Sequence, residues 1–414
     1  MDRITHVRIR NVRAIEAVDL ELGRPLTVLI GENGAGKSTI LECLEILRKS
    51  TDSRFIELLY SVHRGMAGLL RRGAADLTLG VAVEDDSGVE PRLDYELNLR
   101  QEGVGIVIEH ERLRVANPDG QSFDSVLRDM SGAKIRETSG RDVQLAMSSV
   151  GLDRTVVFSA SGLHGRDPSL TRLHAALSRI EVHLGFDSTA AWAARTLQRP
   201  ETLRGPTTLF PAERVALLGV NLANAWAELL NRSTAHRDET MATVRLGLGD
   251  HVDSVVVVPD RGGGNVYLGL RLKDFEDPIL AVNLSDGQLA WLAFIAMARL
   301  NDNRSLLAVD EPELHLHPAL LGRVVSMLAN LLGGAPVVLS THSDRVLEML
   351  DDPADAVRVC SLEGSRANMS RIDASELPRW MKEFGDVGQL RAAGYLARVL
   401  VPILPAASDD EGAE

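Results

Sequence analysis

Leu26-Thr27-Val28-Leu29-Ile30-Gly31-Glu32-Asn33-Gly34-Ala35-Gly36-Lys37-Ser38-Thr39 is the stretch that decides the fold. A run of apolar residues from Leu26 to Ile30 reads as a buried central strand. It leads into Gly31–Ser38, which fits G-x-x-x-x-G-K-[ST] without departure, and then into Ile40, Leu41, Leu44 and Leu47 at helical spacing. Glycines at these places let the backbone wrap closely around phosphate groups with its N–H groups pointing inward. The helix that opens near Lys37 adds the partial positive charge of its N-terminus. Lys37 would reach the outer phosphates, and Ser38 would hold Mg²⁺. The plainer reading is a glycine-rich turn with no ligand. A strand before it and a helix after it argue against that.

Three further motifs lie in the last third of the chain. Leu306-Leu307-Ala308-Val309-Asp310-Glu311-Pro312 is an apolar strand ending in two carboxylates. In a parallel sheet that end faces the ligand crevice. Asp310 would hold Mg²⁺ through water, and Glu311 would orient or deprotonate an attacking water. Alone, this is an ordinary strand end capped by acids. Asn283-Leu284-Ser285-Asp286-Gly287-Gln288 opens another helix. The glycine and the helix N-terminus make an anion-binding corner, but taken by itself the stretch reads more readily as a plain capped helix with Ser285 or Asp286 as the cap. Val338-Leu339-Ser340-Thr341-His342-Ser343 is a buried strand ending in a histidine; a lone histidine there is more often structural, but it could donate to a terminal phosphate.

The order of these four elements resembles that of the ABC-ATPase superfamily: Walker A, signature, Walker B and histidine switch. LSDGQ is similar to the signature LSGGQ with Asp286 in place of a glycine. The resemblance is good over about Ile4–Leu47 and Val282–Ser361 and poor between them. It implies ATP and Mg²⁺ as ligands and ATP hydrolysis as the activity. It also implies a homodimer that sandwiches nucleotide head to tail. Asn33, Gly34, Ala35, Gly36, Lys37, Ser38 and Thr39 would cradle ATP, and Ser38 and Asp310 would take the metal. Glu311, His342 and Lys37 would act catalytically in cis, while Ser285 and Gly287 would meet the nucleotide of the other copy. Arg13, in Asn11-Val12-Arg13-Ala14-Ile15, resembles a basic residue close to nucleotide in RecF- and SMC-type heads. Gln101 is the nearest candidate for a glutamine switch, in an unpersuasive setting.

Within that superfamily, Lys37 and Ser285 lie 248 positions apart (285 − 37), far more than in transporter subunits. The RecF- and SMC-like repair ATPases remain as one resemblance, with nucleic acid as a possible partner. The long heptad arms of SMC proteins are missing. The favoured resemblance is to the OLD-like ATPases of bacterial defence. It is carried by IRNVRAI, GENGAGKST, VDEPELHLHP and LSTHS, and by Leu377-Pro378-Arg379-Trp380 and Gly388-Gln389-Leu390. Only 72 residues follow His342 (414 − 342), too few for the TOPRIM nuclease of OLD proteins. A separately encoded nuclease or toxin is therefore the expected effector, and assemblies larger than a dimer are possible. His315-Leu316-His317 reads as the Walker B extension and D-loop rather than as a metal pair.

The totals fit this picture. Hydrophobic residues make up 45% and charged residues 25% of 414, the balance of a globular protein with a real core. A net charge of −13 gives no general attraction to nucleic acid or anionic membrane, although a local patch could differ. Cys43 and Cys360 have no metal-ligand spacing, and a reducing, cytoplasmic setting is expected. No signal peptide or membrane span is expected.

The expected fold class is α/β: an ABC-ATPase head with a mostly parallel P-loop sheet flanked by helices, an N-terminal antiparallel β lobe and a helical insertion. The expected division is an N-terminal ATPase lobe over 1–116 and a mainly helical insertion over 117–280 ending in a hairpin. A C-terminal ATPase lobe over 281–402 and an acidic tail over 403–414 complete it. The polar stretch 117–141 reads as a surface loop, residues 168–246 and notably Ala212–Leu230 as helical, and Trp291 and Trp380 as core.

Overall fold

The computed structural model describes residues 1–103, 105–137, 139–146, 151, 154–159, 167–189, 202–260, 264–314 and 316–403. The turn glycines 262–263, His315 and nearly all of the expected acidic tail lie outside them. The chain divides into two compact units. One comprises Met1–Val182, Arg304–Ala308 and Pro336–Glu414, and the other His183–Asn303 and Val309–Ala335.

The first unit is built on a fifteen-stranded sheet among the described residues. Its N-terminal strands are β1 (Asp2–Val12), β2 (Ile15–Glu21), β3 (Leu26–Gly31), β4 (Asp76–Asp85), β5 (Arg92–Glu102) and β6 (Gly105–Ala116). They continue in β7 (Ser122–Asp129), β8 (Gly132–Arg136), β9 (Asp142–Ala146) and β10 (Ile180–His183). The second unit carries β11 (Thr207–Thr208), β12 (Val252–Pro259), β13 (Asn265–Leu272) and β14 (Ile279–Leu280). The chain then returns through β15 (Leu306–Asp310), β16 (Val337–Thr341), β17 (Val357–Glu363), β18 (Arg366–Ile372) and β19 (Leu400–Pro402).

The large sheet has the order β10-β15-β16-β3-β17-β18-β2-β1-β4-β5-β6-β7-β8-β9, with β19 paired to β18. Its centre is parallel: β3 pairs in parallel with β16 and β17. All six residues of β3 are buried, as a strand covered on both faces requires. From β1 through β9 the pairing is an antiparallel meander, with buried and polar residues alternating along β5 and β6. The helix Lys37–Lys49 buries Ile40, Leu41, Cys43, Leu44, Ile46 and Leu47 in the same core as Ile9, Leu20 and Leu29. Each such side chain contributes roughly 1.5–3 kcal/mol.

The polar stretch 117–141 is not a loop; most of it forms β7 and β8. Hydropathy hides these strands because the buried positions of β7 include Ser125 and Arg128, each held by a buried polar partner. Ser125 donates to Asp167. Arg128 lies beside Glu111 at 3.6 Å, with both side chains fully buried, and donates to the carbonyls of Gly151 and Arg154. Glu111 also accepts from Tyr95 Oη (3.0 Å) and from the amides of Val156 and Val157 (2.7 and 3.1 Å). Burial pushes the Glu111 carboxyl above its usual range, opposed by the Arg128 charge and these hydrogen bonds. The network ties segment 154–159 to the meander.

In the second unit β11, β12, β13 and β14 form a four-stranded antiparallel sheet, which contains the expected hairpin. Helices span Leu222–Leu230, Thr234–Leu248, Asp286–Leu300 and Pro318–Ala329. Helix Asp286–Leu300 is apolar all round, and Leu289–Ala298 is wholly buried, as expected of a central helix. Trp291 is core, donating Nε1–H to Val244 O (3.3 Å). The helix expected over Ala212–Leu230 starts only at Leu222. Gly219 turns with φ 79°, and the Asn221 side chain bonds Ala216 N and Arg214 O, replacing the bonds a helix would make there. Trp380 is not core. It stacks, half-buried, with Phe384 and Tyr395 at centroid distances of 6.0 and 5.7 Å.

Replacing Arg128 with Met leaves the Glu111 carboxylate buried without its cation and should cost about 3–5 kcal/mol of unfolding free energy. The double variant Glu111→Gln/Arg128→Met should recover much of that loss. Urea melts of the three proteins check this, and equal losses in the single and double variants would refute it.

Candidate functional site

The loop after β3 is shaped for close approach. A Cβ on Gly31 would lie 1.8 Å from the Cys360 carbonyl oxygen, so only glycine lets β3 and β17 pair at this point. Gly34 and Gly36 have φ of 80° and 92°, the left-handed region open to glycine. Gly36 is the N-cap of helix Lys37–Lys49 and supplies no side-chain cap, so the positive end of the helix is not covered by a capping side chain. Lys37 is 5% exposed, and its ammonium donates to the carbonyls of Gly31 and Glu32, both at 3.0 Å. Asn33, Gly34 and Ser38 are exposed; Ala35, Gly36 and Thr39 are buried. A cation folded onto its own loop carbonyls, next to a helix N-terminus in sequence, is an arrangement that can receive a phosphate chain.

His342 belongs to the same unit and to the same edge of the sheet. Thr341, the last residue of β16, pairs in parallel register with Ile30 of β3. Gly31 and His342 therefore leave neighbouring strands at one level. Asp310 closes β15, the next strand beyond β16 in the sheet. Glu311 follows with φ 47°, a left-handed conformation that costs a non-glycine residue on the order of 1–3 kcal/mol and clusters at functional sites. Asp310 and Glu311 are half-buried.

The signature candidate opens helix Asp286–Leu300 with a complete capping box. Ser285 Oγ accepts from Gln288 N (3.3 Å), and Gln288 Oε1 accepts from Ser285 N (2.9 Å). The two readings left open in the sequence are thus compatible, since a capping hydroxyl keeps its own proton to donate. Ser285 and Asp286 are exposed and Gly287 half-buried. Behind them lies Arg204, 7% exposed, which sequence reasoning missed. It donates to the carbonyls of Ala281 and Leu284 and to Asp286 Oδ1. A lone arginine 82 positions before its partner gives no sequence signal.

Arg13 has φ 51° and a partner that the sequence did not indicate. Its guanidinium grips Glu42 of helix Lys37–Lys49 through both terminal nitrogens (2.5 and 2.8 Å), and its Nε donates to Gly68 O. His63 Nδ1 meets the same carboxylate at 3.0 Å. Burial alone would raise the Glu42 pKa, but the His63 hydrogen bond and the Arg13 charge bring it below its usual value. Gln101 is exposed and donates to Gly103 O. His317 accepts from Ala319 N and caps helix Pro318–Ala329. No group of three or more His, Cys, Asp or Glu fit for a metal occurs among the described residues.

Residues 26–348 match the family described as "AAA domain, putative AbiEii toxin, Type IV TA system". Among curated proteins, a DNA replication and repair protein RecF of Nitrosococcus oceani is 32% identical over 69 residues, 17% of this chain and 19% of that one. An OLD nuclease of Thermus scotoductus is 43% identical over 44 residues, 11% of this chain and 8% of that one. The DNA repair protein RAD50 of Saccharomyces cerevisiae is 42% identical over 48 residues, 11% of this chain and 4% of that one. The chain thus spans less than a fifth of the length of each of these relatives. With a family match that runs from the first residue of β3 to beyond His342, the chain belongs to this AAA-domain family and, within it, to the ABC-type ATPases of the OLD, RecF and SMC group.

Proposed function

We propose that this chain hydrolyses ATP with Mg²⁺ in a pocket completed by a second copy, and that joining and release of the copies control a separately encoded nuclease or toxin in bacterial anti-phage defence. The observation that carries the proposal is the P-loop itself, with Lys37 held ready by two carbonyls and His342 leaving the next strand in register. When ATP enters, phosphate oxygens replace the carbonyls around the Lys37 ammonium, and the N–H groups at the helix N-terminus take the rest. Ser38 and Asp310, the latter through water, would hold Mg²⁺, which neutralises charge on the β- and γ-phosphates when bound. Glu311 takes the proton of the attacking water, and His342 donates to the γ-phosphate. Arg13 stiffens the cradle by anchoring Glu42, one turn into the helix that receives the phosphates.

The exposure of Ser285 and Asp286 supports a role across copies. Their hydroxyl and helix N-terminus would meet the γ-phosphate held by the other Walker A, so that ATP joins the copies and hydrolysis parts them. The family's link to a toxin–antitoxin system and the OLD nuclease relative favour a defence role. The names of the RecF and RAD50 relatives favour a second reading, a repair or recombination ATPase that binds DNA.

Glu311→Gln should lower kcat by about 10²- to 10⁴-fold while nucleotide still binds, leaving an ATP-trapped dimer. Light scattering with ATP and Mg²⁺ reads it, and a persistent monomer would speak against the sandwich. Ser285→Arg should abolish hydrolysis without weakening nucleotide binding. Mixed with Lys37→Ala, it should recover activity through the one intact composite site, and silence in the mixture would overturn the trans assignment. Duplex DNA should not shift this protein in a gel at near-physiological salt; a shift that weakens steeply as salt rises would select the repair reading.

A further inference from the structure

The candidate signature LSDGQ differs from LSGGQ at one position, Asp286, and that difference sets an electrostatic problem. Asp286 is the first residue of helix Asp286–Leu300. A carboxylate there suits an isolated helix, because it faces the N-terminal end of the dipole. It does not suit a loop that must receive a polyanionic triphosphate, since its like charge would stand beside the incoming phosphate.

Arg204 answers both the charge and the geometry. Its Nη2 donates to Asp286 Oδ1 at 2.5 Å, and its Nη1 donates to Ala281 O at 3.2 Å and to Leu284 O. Its Nε donates to Ser188 O at 2.8 Å. Three of the four acceptors belong to the signature loop and the turn leading into it. The fourth anchors the guanidinium to a separate segment. The cation is 7% exposed, whereas Asp286 is 49% exposed. The positive charge therefore lies behind the loop and holds one oxygen of the Asp286 carboxylate from behind, beside the exposed Ser285. Donation to Ala281 and Leu284 also turns two carbonyl oxygens away from an anion's approach. A planar fork of five donors is suited to hold a carboxylate and two carbonyls at once; a lysine could not do so.

We propose that Arg204 is a positioning residue for the signature motif. It neutralises Asp286 and locks the Leu284–Gly287 turn, so that Ser285 and the helix N-terminus meet the γ-phosphate held by a second copy. This rests on the sandwich reading above, and its test separates the two.

Arg204→Met should lower kcat by about 10²-fold, the cost typical of a misplaced positioning group. Nucleotide affinity of the protomer, read with a fluorescent ATP analogue, should stay within about twofold, because Walker A is untouched. Removing the carboxylate as well, in Arg204→Met/Asp286→Gly, should raise kcat at least about tenfold above the single variant. Mixing Arg204→Met with Lys37→Ala should restore activity, because the defect lies in the loop presented to the other copy. The proposal is overturned if the double variant is no better than Arg204→Met. It is also overturned if this mixture stays silent while the Ser285→Arg mixture recovers. If neither mixture recovers, the sandwich reading fails and takes Arg204 with it. Should the methionine variant not fold, Arg204→Lys carries the test: it keeps the charge but loses the fork, so kcat should fall at least about tenfold and recover in the mixture. An unchanged kcat in that variant overturns the proposal.

Discussion

Everything at this site depends on the parallel register of β3 with its two neighbours. Ile30 pairs with Thr341 on one side, and Gly31 pairs with Cys360 on the other. Those pairings bring residues from opposite ends of the chain to one edge of the sheet. They hold because the strands are buried on both faces, where a slip of one residue would expose an apolar set and orphan backbone groups. Gly31 is the point of least tolerance. Any side chain there collides with the backbone of β17, which is not free to move.

From that edge the chemistry follows by charge. Lys37 is nearly buried, and a buried ammonium needs partners. It finds them in two loop carbonyls, neutral groups that a phosphate can displace. The Arg13–Glu42 ion pair lies further along the helix, where it fixes the helix to the turn that follows β1. Glu311, left-handed at φ 47°, carries its backbone cost in the resting protein.

The four motifs and the central strands were legible in the sequence, because each couples an apolar run to a polar end with a fixed local meaning. What was not legible depended on partners remote in sequence. β7 carries Ser125 and Arg128 inward, and hydropathy reads such a strand as a loop until Asp167 and Glu111 are seen to receive them. Residues 212–221 are apolar at helical spacing, yet Gly219 and the Asn221 side chain bend them into turns. Trp380 looks like core by residue type, but it is half-buried and stacks on two other partly exposed aromatic rings, Phe384 and Tyr395. The role of Arg13 was placed near the nucleotide by resemblance, whereas Glu42 as its anchor emerged only from the fold.

Arg204 extends that lesson from structure to chemistry. A motif read as a string treats Asp286 as a departure to be tolerated or a sign of a dead site. Read as a charge distribution, the motif includes whatever lies behind it. Carboxylate and guanidinium together approach the neutrality of the glycine they replace, and the fork adds a grip on two carbonyls that a glycine loop does not by itself possess. The negative end faces outward and the positive end inward, so the pair also has a direction. A second copy approaching with a triphosphate would meet the carboxylate first unless Arg204 holds it aside. A change at either residue should therefore be judged by what happens to the other, because neither has a defined effect on an incoming anion alone.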